Sequence, residues 1–208
     1  MKTPLQLTAI TSFTWAGEAL AAAGFLLARA GSAASAAGFW ALAMMSMGVS
    51  ALVGGIDHGF FEPEGKTPAH RALEKAKNIT AGIIAFFALL AVGRQFFGPK
   101  AQAVFLVIAC AQLGAFVVAT LLLDSFLVVI LDYAPAMILL LVMSLLGLGS
   151  GAGSWQMVVG LALSAAASVV QALGVDRFSP LDRNGLYHLI LMAATVFLFL
   201  GGLRLAGA

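Results

Sequence analysis

Seven apolar segments, each of about 20 residues, make up most of the chain. A helix of that length crosses the roughly 30 Å hydrocarbon core of a bilayer. Because lipid offers no partner to exposed backbone groups, apolar segments of this length predict helices. We therefore expect an all-α polytopic membrane protein, a bundle of seven transmembrane helices forming one domain over residues 1–208. The predicted spans lie near 5–28, 35–57, 77–97, 101–123, 126–148, 152–173 and 181–205.

The composition excludes most soluble classes. Hydrophobic residues make up 62% of the chain and charged residues 10%, whereas soluble domains carry about 25% charged residues. The net charge of +2 gives no reason to expect a nucleic-acid partner. The sequence also contains no glycine-rich phosphate loop and no G-x-S-x-G or H-E-x-x-H motif. Membrane lipids are the expected surroundings, and a membrane-protein partner or a homo-oligomer is compatible with the pattern.

Basic residues predict the orientation of the bundle, because cytoplasmic loops carry an excess of Lys and Arg. An odd number of spans places the two termini on opposite sides of the membrane. More basic residues flank the N-terminal side than the other side, so we expect a cytoplasmic N-terminus and an opposite C-terminus. The N-terminal side has Lys2, Lys66, Arg71, Lys75, Lys77, Arg177 and Arg183, against Arg29, Arg94, Lys100 and Arg204.

All three histidines fall on the N-terminal side of this predicted topology. His58 ends the second span, His70 opens the third, and His188 lies near the start of the seventh. Imidazole beside carboxylate can bind a divalent metal, which lowers the pKa of a bound water to about 7. The simpler readings are that His58 is solvated at a helix end and that His70 lies on an exposed surface. Either Asp132 or Tyr133 of the fifth span could hydrogen-bond His188.

Other polar side chains lie along the predicted spans. Asp57 adjoins His58 and could bind a metal, orient a histidine or act as a base, as could Asp132. Tyr133 and Ser50 are candidates for hydrogen bonds to a substrate. Glu18 lies deeper, where an ionisable group needs a partner, a water-filled cavity or a proton. A neutral carboxylic acid that locks two helices together would also account for Glu18.

The stretch "NGLYHLILMAATVFLF" resembles the last helix of the seven-helix membrane hydrolases that include alkaline ceramidases, adiponectin receptors and hemolysin-III proteins. Their last helix carries His-x-x-x-His, commonly with an aromatic residue before the second histidine. Tyr187 and His188 match that end of the motif, and Asn184 stands in place of the first histidine. The second helix of the family carries Ser-x-x-x-His, where this chain has Gly54 and His58.

The resemblance implies a zinc-dependent hydrolase of a lipid amide. Some members also carry a glutamate in the first helix, which is similar to Glu18. Carried over by position, His58 and His188 would bind zinc, and His70, Asp57 or Asp132 would supply a third ligand. Two histidines and a carboxylate are a known zinc ligand set.

Three functions remain open at this point. The leading interpretation is a metal-dependent hydrolase of a lipid or other amphipathic substrate, with a site open to the N-terminal side among helices two, three, five and seven. The second is a non-catalytic membrane subunit or lipid-binding scaffold of the same fold. The third is a small proton-coupled transporter that uses Glu18 and Asp132.

Overall fold

The computed structural model describes residues 4–123, 125–174 and 181–206. These residues form seven α-helices and, within the described ranges, no strand. Each helix is long and apolar enough to cross a membrane, with a mean hydropathy between 1.3 and 2.4. This confirms the predicted helix number and class. The helices are α1 (Pro4–Arg29), α2 (Ala36–Ile56), α3 (Pro68–Phe96), α4 (Pro99–Leu122), α5 (Phe126–Leu146), α6 (Trp155–Leu173) and α7 (Arg183–Ala206).

Two helix starts illustrate how the sequence sets the boundaries. Ahead of the predicted span at 77–97, Thr67 followed by Pro68 predicts an N-cap and a first helical residue. α3 begins at Pro68, and the Thr67 side chain accepts a hydrogen bond from the backbone N–H of His70. For α7, the similar pair Ser179–Pro180 predicts a helix start, but both lie outside the described residues. Within them, Asp182 caps the helix, because its carboxylate accepts a hydrogen bond of 2.7 Å from the N–H of Gly185.

The second helix ends in an irregular segment that carries candidate site residues. After α2 the chain continues through a π-helical turn, Asp57–Phe61, and a short 3-10 turn, Glu62–Glu64. π-Helical turns place side chains out of the normal helical register and are frequent at functional sites. Here the turn buries both Asp57 and His58, so these polar groups point into the bundle.

The helices pack as a compact group with α4 at its edge. α1 lies between α2 and α7, α2 packs on α3, and α6 packs on α7, whereas α4 contacts mainly α3. Only 17% of the α4 span is buried, compared with 56% of the span containing α2. Helices α1, α2 and α7 are thus mutual neighbours, and α2 also contacts α3. α5 packs on α3 and α6 instead.

Glycine allows α7 to approach its neighbours. A Cβ atom on Gly202 would lie 2.6 Å from both Leu26 and Trp40 side-chain atoms. Since the Trp40 and Leu26 side chains are almost fully buried, they have little room to move. Small residues at such contacts supply much of the packing energy between helices in lipid.

Candidate functional site

Two histidines that lie far apart in the chain meet at the N-terminal end of the bundle. The rings of His58, in the π-helical turn, and His188, on α7, have centroids 6.3 Å apart. Both residues are buried, at 9% and 6% exposure. The two motifs that carry the sequence resemblance thus converge in space.

Hydroxyl groups of α1 surround the His188 ring. Thr11 Oγ1 lies 3.1 Å from its Nδ1, and Ser12 Oγ lies 3.3 Å from Nε2 and 3.4 Å from Nδ1. Thr11 and Ser12 are consecutive residues, and both side chains reach the same ring because α1 packs directly on α7. His188 therefore has hydrogen-bonding groups on both ring nitrogens.

The surrounding hydrogen bonds favour one tautomer of His188. The Thr11 hydroxyl donates to the backbone carbonyl of Thr8 at 2.9 Å, so its oxygen is left to accept a hydrogen bond from Nδ1–H. This tautomer leaves a lone pair on Nε2, which can accept the hydroxyl proton of Ser12 at 3.3 Å. The arrangement thus contains a hydroxyl (Ser12), a base within reach of its proton (His188) and a third group that orients the base (Thr11).

The other two histidines each pair with a carboxylate. His58 Nδ1 bonds Glu62 one turn later, and His70 Nδ1 bonds Asp57 Oδ1 at 2.7 Å. Asp57 is 1% exposed, and its second oxygen has no hydrogen-bond partner among the described residues. The Glu62 side chain is 34% exposed, so the His58–Glu62 pair extends from the buried cluster to the protein surface.

Lys77 of α3 brings a positive charge to the cluster. A Cβ atom on Gly54 would lie 3.4 Å from Lys77 Cδ and 3.8 Å from Ser12 Oγ. The Lys77 side chain and the Ser12 hydroxyl thus both lie at ordinary contact distance from position 54. The Lys77 ammonium interacts electrostatically with Glu62 and His188.

Trp15 covers the side of His188 that faces the middle of the bundle. Its ring stacks on the imidazole at 5.7 Å, with 26° between the planes. The indole N–H donates to Thr195 Oγ1 at 2.9 Å, which fixes the ring. At the opposite, N-terminal end, Thr8 donates to Asp182 at 2.6 Å. Polar contacts between α1 and α7 therefore bracket His188.

Several predicted site residues lie elsewhere. Asp132 binds Gln112 of α4, and Tyr133 packs against the apolar core. Asn184 accepts a hydrogen bond of 2.7 Å from Gln171 of α6. The Ser50 hydroxyl donates to the backbone carbonyl of Lys77 at 3.1 Å.

The site thus differs in composition from the expected one. The expected hydrogen bond from Asp132 or Tyr133 to His188 is absent from the described residues, because α5 packs on α3 and α6. Helix α1, rather than α5, supplies the side chains that contact His188. Glu18, the remaining candidate, lies further along α1 and lines a cavity between α1 and α7.

The predicted zinc ligands do not fit a metal site in this arrangement. Zinc needs three or four donor atoms at about 2.0–2.3 Å. Over residues 4–123, 125–174 and 181–206, no group of three or more His, Cys, Asp or Glu side chains is placed to hold a metal. The nitrogens of His188 face hydroxyls, and the Nδ1 atoms of His58 and His70 face separate carboxylates. Zinc stays a prediction.

The sequence contained signals for the residues that were missed. Thr8, Ser12 and Trp15 recur at intervals of four and three, which places them on one face of α1. The spacing of His58 and Glu62 is likewise one helical turn. These intervals predict which side chains share a face. They do not predict that the α1 face meets His188.

Comparisons with known proteins give one informative result. Neither the curated proteins nor the solved structures contain a significant match to this chain. A family model described as a family of unknown function matches residues 7–207. The match covers nearly the whole bundle, including every residue of the histidine cluster. The chain belongs to this family of unknown function, DUF6962.

Proposed function

We propose that this protein is an integral membrane hydrolase of a lipid or other amphipathic substrate, with His188 as its acid–base residue and Ser12 as the nucleophile. The observation that carries the proposal is the Ser12–His188–Thr11 arrangement. A hydroxyl within reach of an imidazole that is oriented by a third group is the minimal unit of nucleophilic hydrolysis.

In the proposed reaction, Ser12 Oγ bonds to the acyl carbon of an ester or amide while its proton passes to His188 Nε2. The bond to the leaving alcohol or amine then breaks, and that group takes the proton from Nε2. Water then bonds to the acyl carbon while its proton passes to the same nitrogen. The bond from the acyl carbon to Ser12 Oγ breaks, and Oγ takes that proton, which releases the fatty acid and restores Ser12. Thr11 keeps Nδ1–H in place, so that Nε2 is the atom that exchanges protons.

Two neighbouring groups support this chemistry. Lys77 supplies a positive charge near His188, which would stabilise negative charge that develops on the acyl oxygen. The same charge disfavours the protonated His188, so it promotes transfer of that proton to the leaving group. The His58–Glu62 pair links the cluster to the protein surface, since Glu62 is partly exposed. Its proposed task is proton exchange with the aqueous phase on the N-terminal side, which we place in the cytoplasm.

Burial sets a condition on the mechanism. Ser12 is 1% exposed and His188 is 6% exposed, so a substrate reaches them only if α1 moves relative to α7. An amphipathic substrate would approach from the lipid phase, where it is already concentrated. The proposal therefore includes an opening of the contact between these two helices.

The proposal is tested by hydrolysis of p-nitrophenyl acyl esters of graded chain length by the purified protein in lipid nanodiscs. We expect release of p-nitrophenol that falls at least 100-fold in Ser12→Ala and in His188→Gln. Ser164→Ala is the matched control, because Ser164 is also buried but bonds only a backbone carbonyl on α6. Equal rates in wild type, Ser12→Ala and His188→Gln would favour the non-catalytic interpretation.

A further inference from the structure

A second polar feature lies on α1, on the far side of Trp15 from His188. A cavity of about 550 Å³ opens between α1 and α7, within the range of small-molecule sites. Phe25 and Val196 on its walls are 50% and 49% exposed, so it opens toward the lipid-facing surface. Its lining consists of Glu18, Ala21, Ala22, Phe25 and Arg29 from α1, with Thr195, Val196, Phe199 and Leu203 from α7.

The polar end of this cavity is a carboxyl group without a partner. Glu18 forms no ion pair and no hydrogen bond with a described residue, and its Oε2 atom is buried. Glu18 lies about 21 Å along α1 from Pro4, near the middle of the helix. A carboxylate at that depth requires a proton or a cationic partner.

Arg29 does not provide that partner within the protein. It lies about 16 Å further along α1 than Glu18, three turns away. Its guanidinium stacks on the Phe25 ring, at 5.0 Å from the centroid. The Phe25 ring packs edge-on against Phe199 at 5.8 Å. The cavity thus combines a carboxyl group at one end with aromatic rings, one of which already contacts a cation.

We infer that this cavity binds a lipophilic organic cation, with the positive charge at Glu18 and the apolar body against Phe25 and Phe199. The carboxylate compensates the charge, and aromatic and aliphatic walls accommodate apolar substituents. Arg29 at the other end repels the charge of the ligand and so orients it toward Glu18. An anionic ligand would be repelled by the Glu18 carboxylate.

This site is separate from the proposed hydrolytic centre. Trp15 stands between them, stacked on His188 on one side and bonded on the other to Thr195, which lines the cavity. None of the cavity-lining side chains takes part in the proposed hydrolysis. Binding at Glu18 can therefore be tested whether or not the protein hydrolyses lipids.

The experiment measures saturable binding of tetraphenylphosphonium, an apolar permanent cation, to the protein in nanodiscs, with empty nanodiscs as background. We expect Glu18→Gln to weaken binding at least tenfold and Glu18→Asp to retain most of it. Asp132→Asn is the matched control, because Asp132 is another carboxyl of a membrane-spanning helix but lies outside the cavity. Ser12→Ala should bind as wild type does.

A second variant covers the case in which Glu18→Gln fails to fold. Ala21 lines the cavity and is exposed, so Ala21→Phe fills the space while keeping the carboxyl. Ala21→Phe should abolish tetraphenylphosphonium binding and leave the thermal unfolding temperature of the protein unchanged. The inference is overturned if the wild type shows no saturable binding, if Glu18→Gln binds equally well, or if Asp132→Asn loses binding to the same extent.

Discussion

Ser12 Oγ and His188 Nε2 lie 3.3 Å apart although 176 residues separate them in the chain. The contact exists because α1 packs on α7, which brings the first and last membrane-spanning helices together. Neither residue has a comparable partner within its own helix. The pair therefore depends on the tertiary fold and responds to changes at the α1–α7 contact.

Thr11 should control the reactivity of His188. Replacing Thr11 with Val removes the oxygen that accepts Nδ1–H and frees the ring to adopt the other tautomer. We expect ester hydrolysis to fall about 10- to 100-fold in Thr11→Val, whereas Thr11→Ser keeps the oxygen and most of the rate. If Thr11→Val and wild type hydrolyse the ester equally fast, the tautomer assignment is wrong.

Chelation separates the serine mechanism from the zinc-dependent one. The arrangement of His58, His70 and His188 predicts that dialysis against EDTA or 1,10-phenanthroline leaves ester hydrolysis unchanged. The measurement is the rate before and after dialysis, together with elemental analysis of the protein. About one zinc per chain that disappears in His188→Ala would instead support the metal-dependent form.

Thr8 should limit access to Ser12. Its hydrogen bond to Asp182 ties α1 to the start of α7, and a bond to a carboxylate of this kind contributes about 1.5–3 kcal/mol. Thr8→Val should lower stability in SDS unfolding but raise the ester hydrolysis rate several-fold. Thr80→Val is the control, because the Thr80 hydroxyl bonds only carbonyls of its own helix. A lower rate in Thr8→Val would argue against opening at this contact.

Gly202 should be intolerant of a side chain. A Cβ atom there overlaps Leu26 and Trp40 at 2.6 Å, so Gly202→Ala should destabilise the bundle by about 1–3 kcal/mol. Gly24→Ala is the matched change, because a Cβ atom at Gly24 meets nothing within 4 Å. In equilibrium unfolding, Gly202→Ala should lower the SDS concentration at the midpoint, whereas Gly24→Ala should not. Equal midpoints for the two variants would contradict the close packing of α7 on α1 and α2 at Gly202.

The fold was predictable because each helix is specified locally. The length and apolarity of each segment predict a spanning helix, and pairs such as Thr67–Pro68 mark where one begins. The start of α7 is tested only in part, because Ser179 and Pro180 lie outside the described residues, and within them Asp182 caps the helix.

The site was predictable only in part, since it depends on which helices touch. His58 ends the second predicted span and His188 lies near the start of the seventh, so the sequence predicted that both lie on one side of the membrane. No local pattern specified that α1 would supply Ser12 and Thr11. Asp132 was assigned to the site on depth alone, but depth does not determine which neighbour a side chain meets, and Asp132 bonds Gln112 of α4.

The most direct test of the central claim is covalent labelling of the folded protein with a long-chain fluorophosphonate, followed by peptide mass spectrometry. The probe reacts with a serine only when a neighbouring base activates its hydroxyl. The account predicts one adduct, on Ser12, that is lost in Ser12→Ala and strongly reduced in His188→Gln. An unlabelled Ser12 in wild-type protein, or undiminished labelling in His188→Gln, would contradict it.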